Sequence, residues 1–288
     1  MTSHTLLHRP RFVRFGIRID TAPAWLWLVL LAVALWPTWA WMGQRMLDGS
    51  DDPLGVLALA ALGGVVAQYR RVLRAAPRLS WLSLALLGAV LATVARTQLP
   101  DLLGALVALL ALAAGLLAFL PARVVSGPVL GLSVLSLPLL ASLQFYAGYP
   151  LRVITAEASR YLLAFEHEVS RSGSSLVVNG QLVIVDAPCS GVQMVWLGYF
   201  TACVVALYVA QGRASGFSNR TFLTRLPVVS VLVLAGNVLR NTVLVAAQAR
   251  GTPLAGWAHE VVGLVVLAGV CAGIGWVMSR PPRQGEKA

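Results

Sequence analysis

Eight long apolar runs constrain this chain more than any other feature. They fall at roughly residues 23–42, 54–68, 79–95, 101–120, 127–146, 189–210, 226–248 and 257–278. Wound as helices, runs of this kind match the hydrocarbon thickness of a bilayer, about 30 Å. Inside a bilayer the backbone must satisfy its own N–H and C=O groups, so a helical bundle is the expected solution. Composition agrees, because 58% hydrophobic and 11% charged residues exclude an ordinary soluble domain. The net charge of +11 would suit nucleic acid. The basic residues, however, are spread over short loops between apolar runs, so no nucleic-acid partner is expected. Cys189, Cys203 and Cys271 lack the paired spacing of a disulfide framework or a zinc site. No metal or other cofactor is expected.

The arginines orient the bundle. Fifteen basic residues lie on one set of alternate segments: Arg9, Arg11, Arg14 and Arg18; Arg70, Arg71, Arg74 and Arg78; Arg123; Arg213, Arg220 and Arg225; and Arg280, Arg283 and Lys287. The other set holds six: Arg45, Arg96, Arg152, Arg160, Arg171 and Arg250. The positive-inside bias then places both termini in the cytoplasm, in keeping with an even number of crossings. The first run, rich in Trp25, Trp27, Trp36, Trp39 and Trp41, is expected to be a retained helix with interfacial aromatics, not a removed signal peptide.

One extracytoplasmic connection, residues 147–188, is long for a bundle. Apolar positions at helical spacing from Leu151 to Val169, interleaved with Arg152, Glu157, Arg160, Glu166 and Glu168, predict an amphipathic helix on the outer surface of the membrane lipid. Two β-prone runs joined by Asn179-Gly180 predict a hairpin with a type I′ turn. The expected architecture is an all-α integral membrane protein of about eight transmembrane helices, with a small extracytoplasmic helix plus β-hairpin insertion. That insertion leads through Asp186-Ala187-Pro188 into a final portion, residues 189–278, where the chemistry concentrates.

Cys189 opens the sixth run, so a helix N-terminus would favour its thiolate. The plainer reading is a small packing residue, as Cys203 and Cys271 are read. The seventh run places Asn237, Arg240 and Asn241 on one face. The eighth begins with His259 and Glu260, and Gly263 follows. A buried arginine is costly in a membrane and marks function or a structural tie to carbonyls; His259 could equally be an interfacial histidine. With the topology above, Cys, Arg and His converge on one depth from three helices. Arg240 lies about 12 Å below the helix end if that helix runs to Gln248. Either the helix stops early, near Val245, or the site is sunk into the outer leaflet.

PCSG at one helix start, NxxRN in the next and HExxG in the third resemble the exosortase/archaeosortase family of membrane transpeptidases. The resemblance covers about Leu176 to Gly263. It implies catalytic roles for Cys189, Arg240 and His259 on the extracytoplasmic side of the bacterial inner membrane. It also implies exported protein partners ending in a short Pro-Glu-Pro-like motif, an apolar helix and a basic end. Such a tail could pack through Gly63, Gly64, Gly269 and Gly273, although internal packing is their simpler use.

The chemistry stands on the residues as well. Cys189 would attack a carbonyl, with N–H groups near Ser190 and Gly191 as oxyanion donors. His259 would move the proton, and Arg240 would stabilise thiolate or oxyanion or hold substrate carbonyls. Asp186, Gln193, Asn237, Asn241 and Glu260 are the supporting or substrate-binding candidates, Glu260 adjoining His259 but directed elsewhere on its helix. The thioester could pass to an acceptor or to water. A serine or glutamate intramembrane protease or an acyltransferase is disfavoured, because no Gly-x-Ser-x-Gly or Glu-Glu element lies at membrane depth. A non-enzymatic permease or assembly factor, with Asn237, Arg240 and His259 along a polar path, is the rival.

Overall fold

The computed structural model describes residues 23–49, 51–184, 191–212, 216–250 and 256–281. Its helices are α1 (Ala24–Ala34), α2 (Trp36–Leu47), α3 (Gly55–Tyr69), α4 (Leu79–Gln98), α5 (Asp101–Phe119), α6 (Ser126–Leu135) and α7 (Leu140–Leu163). Strands β1 (Val169–Ser172), β2 (Ser175–Val178) and β3 (Gln181–Ile184) follow, then α8 (Val192–Ala210), α9 (Asn219–Ala249) and α10 (Gly256–Ser279). The chain is an all-α membrane protein with one small sheet. Helices α4, α5, α8, α9 and α10 are each long and apolar enough to cross a bilayer.

The eight expected crossings are not eight straight helices. The first run bends by 62° between α1 and α2, and the fifth by 94° between α6 and α7. Counting each bent pair as one gives up to seven spans, with α3 a shorter apolar helix of 15 residues. Proline explains the first break. Pro37 in the first turn of α2 has no N–H to give and crowds the preceding turn. The Trp39 indole N–H donates instead to the Ala32 carbonyl at 2.7 Å. The second break follows Ser136, whose hydroxyl donates to the Ser133 carbonyl at 2.7 Å. Beyond it α7 runs unbroken through Pro150 to Leu163. The amphipathic helix expected at 151–169 is therefore the later part of α7 and ends earlier.

A core of Trp196, Val129, Leu132, Leu117, Val229 and Ile274 joins α5, α6, α8, α9 and α10. Glycines permit two of the closest approaches. A Cβ on Gly198 would overlap Val233, and one on Gly236 would overlap Val270, so α8 and α10 each close on α9 through a missing side chain. The glycines singled out from the sequence behave differently. A Cβ on Gly63, Gly64 or Gly269 would meet nothing within 4 Å among the described residues, and one on Gly273 would meet only the tip of Leu232 at 3.7 Å. Packing among the described residues does not use the first three.

The sheet has order β1-β2-β3, both pairs antiparallel. Asn179 (φ 50°) and Gly180 (φ 81°) both have positive φ, as a two-residue I′ turn requires. Strand β1 was not expected; it adds to the hairpin through a second tight turn at Gly173 (φ 61°). Leu176, Val178 and Val183 of the sheet form a separate small core with Ala156 and Leu163 of α7 and Val245 of α9. The last turns of α9 thus carry the sheet. A valine at position 180 would have to adopt positive φ, at a cost of roughly 1–2 kcal/mol. Limited proteolysis should cut residues 169–184 of Gly180→Val about tenfold faster than wild type. Equal resistance would contradict the turn's role.

Candidate active site

The site is built at the first turn of α8. Gly191 precedes that turn with φ +81°, and a Cβ on it would lie 2.6 Å from the side-chain amide of Asn237. Only glycine meets both conditions, the left-handed backbone and the close approach. Asn237 is held from two sides. Its Nδ2 donates to Thr155 Oγ1 at 2.9 Å, and Asn241 Nδ2 donates to the Asn237 backbone carbonyl at 2.8 Å and lies 3.4 Å from its Oδ1. All three residues are buried, so their polar atoms must find one another. Helices α7, α8 and α9 are tied together at this level.

Arg240, one turn further along α9, turns toward α10. A Cβ on Gly263 would stand 3.2 Å from Arg240 Nε, so the missing side chain of Gly263 makes room for the guanidinium. Gly263 is four residues after His259 and shares its face of α10. His259 is half-buried in the first turn of that helix. Arg240 Nε is buried without an acceptor, and no ion pair or hydrogen bond to Arg240 occurs among the described residues. A buried cationic N–H in this condition is unstable by a few kcal/mol until an acceptor arrives.

Arg240 opens into a cavity of about 340 Å³ whose polar wall is Arg240, Gln193 and Glu260, and whose apolar wall is Met194, Leu197, Leu264 and Leu267. Glu260 therefore faces the same space as Arg240 without pairing with it. On the opposite flank of α8 a groove of about 210 Å³ runs from Gly191 and Asn237 to Tyr199 and Ser230, walled by Leu151, Ile154, Val195 and Val233. Tyr199 and Ser230 close it with a 2.6 Å hydrogen bond.

Of the residues named from the sequence, Gly191, Gln193, Asn237, Arg240, Asn241, His259 and Glu260 all lie around the start of α8 or the facing turns of α9 and α10. Asp186, Cys189 and Ser190 lie outside the described residues. Helix α9 does not stop near Val245 but runs to Ala249, leaving Arg240 nine residues, about 14 Å, below its end. The other cysteines pack as expected: Cys203 is 2% exposed, and Cys271 lies 3.5 Å from Thr201 Oγ1.

The sequence reading missed three residues. Thr155 holds Asn237. Asp52 accepts from Gln193 Nε2 at 3.0 Å. Its neighbour Asp51 is buried, accepting from the amides of Asp52 and Ala141, and burial pushes its carboxyl up despite Arg45 at 3.9 Å. The adjacent acids between two apolar runs were the visible signal, but nothing local ties them to α8, which lies some 140 residues further along.

The family described as Transmembrane exosortase matches residues 41–276. The chain belongs to that family. Exosortases are membrane transpeptidases of protein-sorting systems. The match spans the sheet, the cavity, the groove and all three motifs of this exosortase. No curated protein and no solved structure matches the chain.

Proposed function

We propose that this exosortase is a cysteine transpeptidase acting at the extracytoplasmic face of the inner membrane on exported proteins with a C-terminal tail of short motif, apolar helix and basic end. The observation that carries this reading is the interlock of the three motifs. Gly191, two residues after Cys189, packs on Asn237, three residues before Arg240; Arg240 in turn lies over Gly263, four residues after His259. The residues flanking each proposed catalytic group touch one another.

In this reading Cys189 attacks the scissile carbonyl carbon as a thiolate. The carbonyl oxygen gathers negative charge, which the guanidinium of Arg240, without a partner among the described residues, stabilises. His259 gives the leaving amine its proton as the C–N bond breaks, and a thioester remains on Cys189. An acceptor nucleophile or water then attacks the thioester and frees the thiol. The cavity beside Arg240 suits a chain passing from water into lipid, because its polar wall meets peptide groups and its leucines meet apolar side chains.

A membrane-impermeant thiol reagent applied to intact cells tests the reading. Cys189 is expected to label from outside, with loss of processing of a tailed protein, while buried Cys203 stays unlabelled. Labelling of Cys189 only from the cytoplasmic side would contradict it.

A further inference from the structure

A second arginine repeats the feature that marks Arg240. Arg152 Nε is buried without an acceptor, and no ion pair or hydrogen bond to Arg152 occurs among the described residues. Four carboxylates at this end of the bundle are engaged elsewhere among the described residues. Glu157 holds Arg160 and Arg171, Glu166 holds Arg250, Asp51 accepts from two amides and Asp52 from Gln193. Arg152, half-buried as a residue, shares by helical spacing the face of α7 that carries the buried Gly148, Thr155, Ala156 and Ser159. Along that face Thr155 and Ser159 meet α9, while Ala156 and Leu163 meet the sheet. Arg152 therefore belongs to the corner between α9 and the sheet, and its turn is the one that touches Asn237. Ile154 and Tyr161, on the opposite face, are exposed.

We propose that Arg152 is an anion-binding subsite that takes an acidic side chain of the polypeptide substrate near the scissile bond, leaving Arg240 to the reacting carbonyl. This rests on the transpeptidase reading above. A guanidinium fork binds a carboxylate bidentately, and one whose Nε is buried favours a carboxylate over a neutral amide. A lipid phosphate has the same chemistry, but it would approach the exposed face of α7 with Ile154 and Tyr161. Nε is buried on the other face, which also carries Thr155, the partner of Asn237.

The test uses the full chain in phosphatidylcholine vesicles, with and without phosphatidylglycerol. Two tailed peptides are compared, identical except for Glu or Gln beside the cleaved bond. Wild type is expected to cleave the Glu peptide roughly 10- to 100-fold faster than the Gln peptide. Arg152→Gln should bring the Glu peptide down to the rate of the Gln peptide in both vesicles, and Arg152→Lys should recover part of the preference. Equal slowing of both peptides would make Arg152 structural and overturn the proposal. An effect confined to phosphatidylglycerol vesicles would assign it to lipid and overturn it too. The parent reading has its own readout, the loss of all cleavage in Cys189→Ala.

Discussion

Gly191→Ala is expected to lower processing of a tailed protein about 100-fold while the amount of membrane-inserted protein stays near wild type. Two costs combine at this position. An alanine held at φ +81° is unfavourable by roughly 1–2 kcal/mol, and its Cβ would stand 2.6 Å from the Asn237 amide. The Asn237 side chain cannot simply withdraw, because it donates to Thr155, accepts from Asn241 at Oδ1, and all three residues are buried. The start of α8 must shift instead, and displacement of a reacting group by about 1 Å costs on the order of 10²-fold in rate. Gly269→Ala is the matched control, since a Cβ there meets nothing within 4 Å. Immunoblotting of the membrane fraction beside a cleavage assay reads both quantities. Wild-type processing by Gly191→Ala would mean that the contact with Asn237 does not position the nucleophile.

The contrast between what was and was not legible in the sequence follows the range of the interactions. The Asn179-Gly180 turn was legible because its requirement, two positive φ angles, is met within the dipeptide itself. The helical face of Asn237, Arg240 and Asn241 was legible for the same reason, since helical spacing alone puts them together. Hydropathy also located the apolar runs, but it sums over a window and does not register direction. It therefore joined α1 to α2 across a 62° bend and split α7 at Gly148-Tyr149-Pro150, where the helix continues. Strand β1, Val-Ser-Arg-Ser, has too little apolar alternation to announce itself; it exists because β2 offers an edge. The pairing of Asp52 with Gln193 and of Asn237 with Thr155 depends on which helices become neighbours, and no local pattern encodes that. The glycines show the same split. Gly263 and Gly191 carry the site, yet their motif positions become reasons only once Arg240 and Asn237 are seen against them.

The central claim is that Cys189 is the nucleophile, and the most direct measurement is the processing of a tailed exported protein by Cys189→Ala. Small replaces small, so membrane insertion should be unchanged, and cleavage should be abolished. Cys189→Ser should be almost as inactive, because a hydroxyl is a far weaker nucleophile than a thiolate near neutral pH. Cys203→Ala and Cys271→Ala, at packing positions remote from Gly191 along their helices, should process the same substrate at close to the wild-type rate. Loss of cleavage confined to Cys189 is the result the account predicts. Wild-type cleavage by Cys189→Ala at normal protein levels would contradict it and leave the polar-path permease as the better explanation of Asn237, Arg240 and His259.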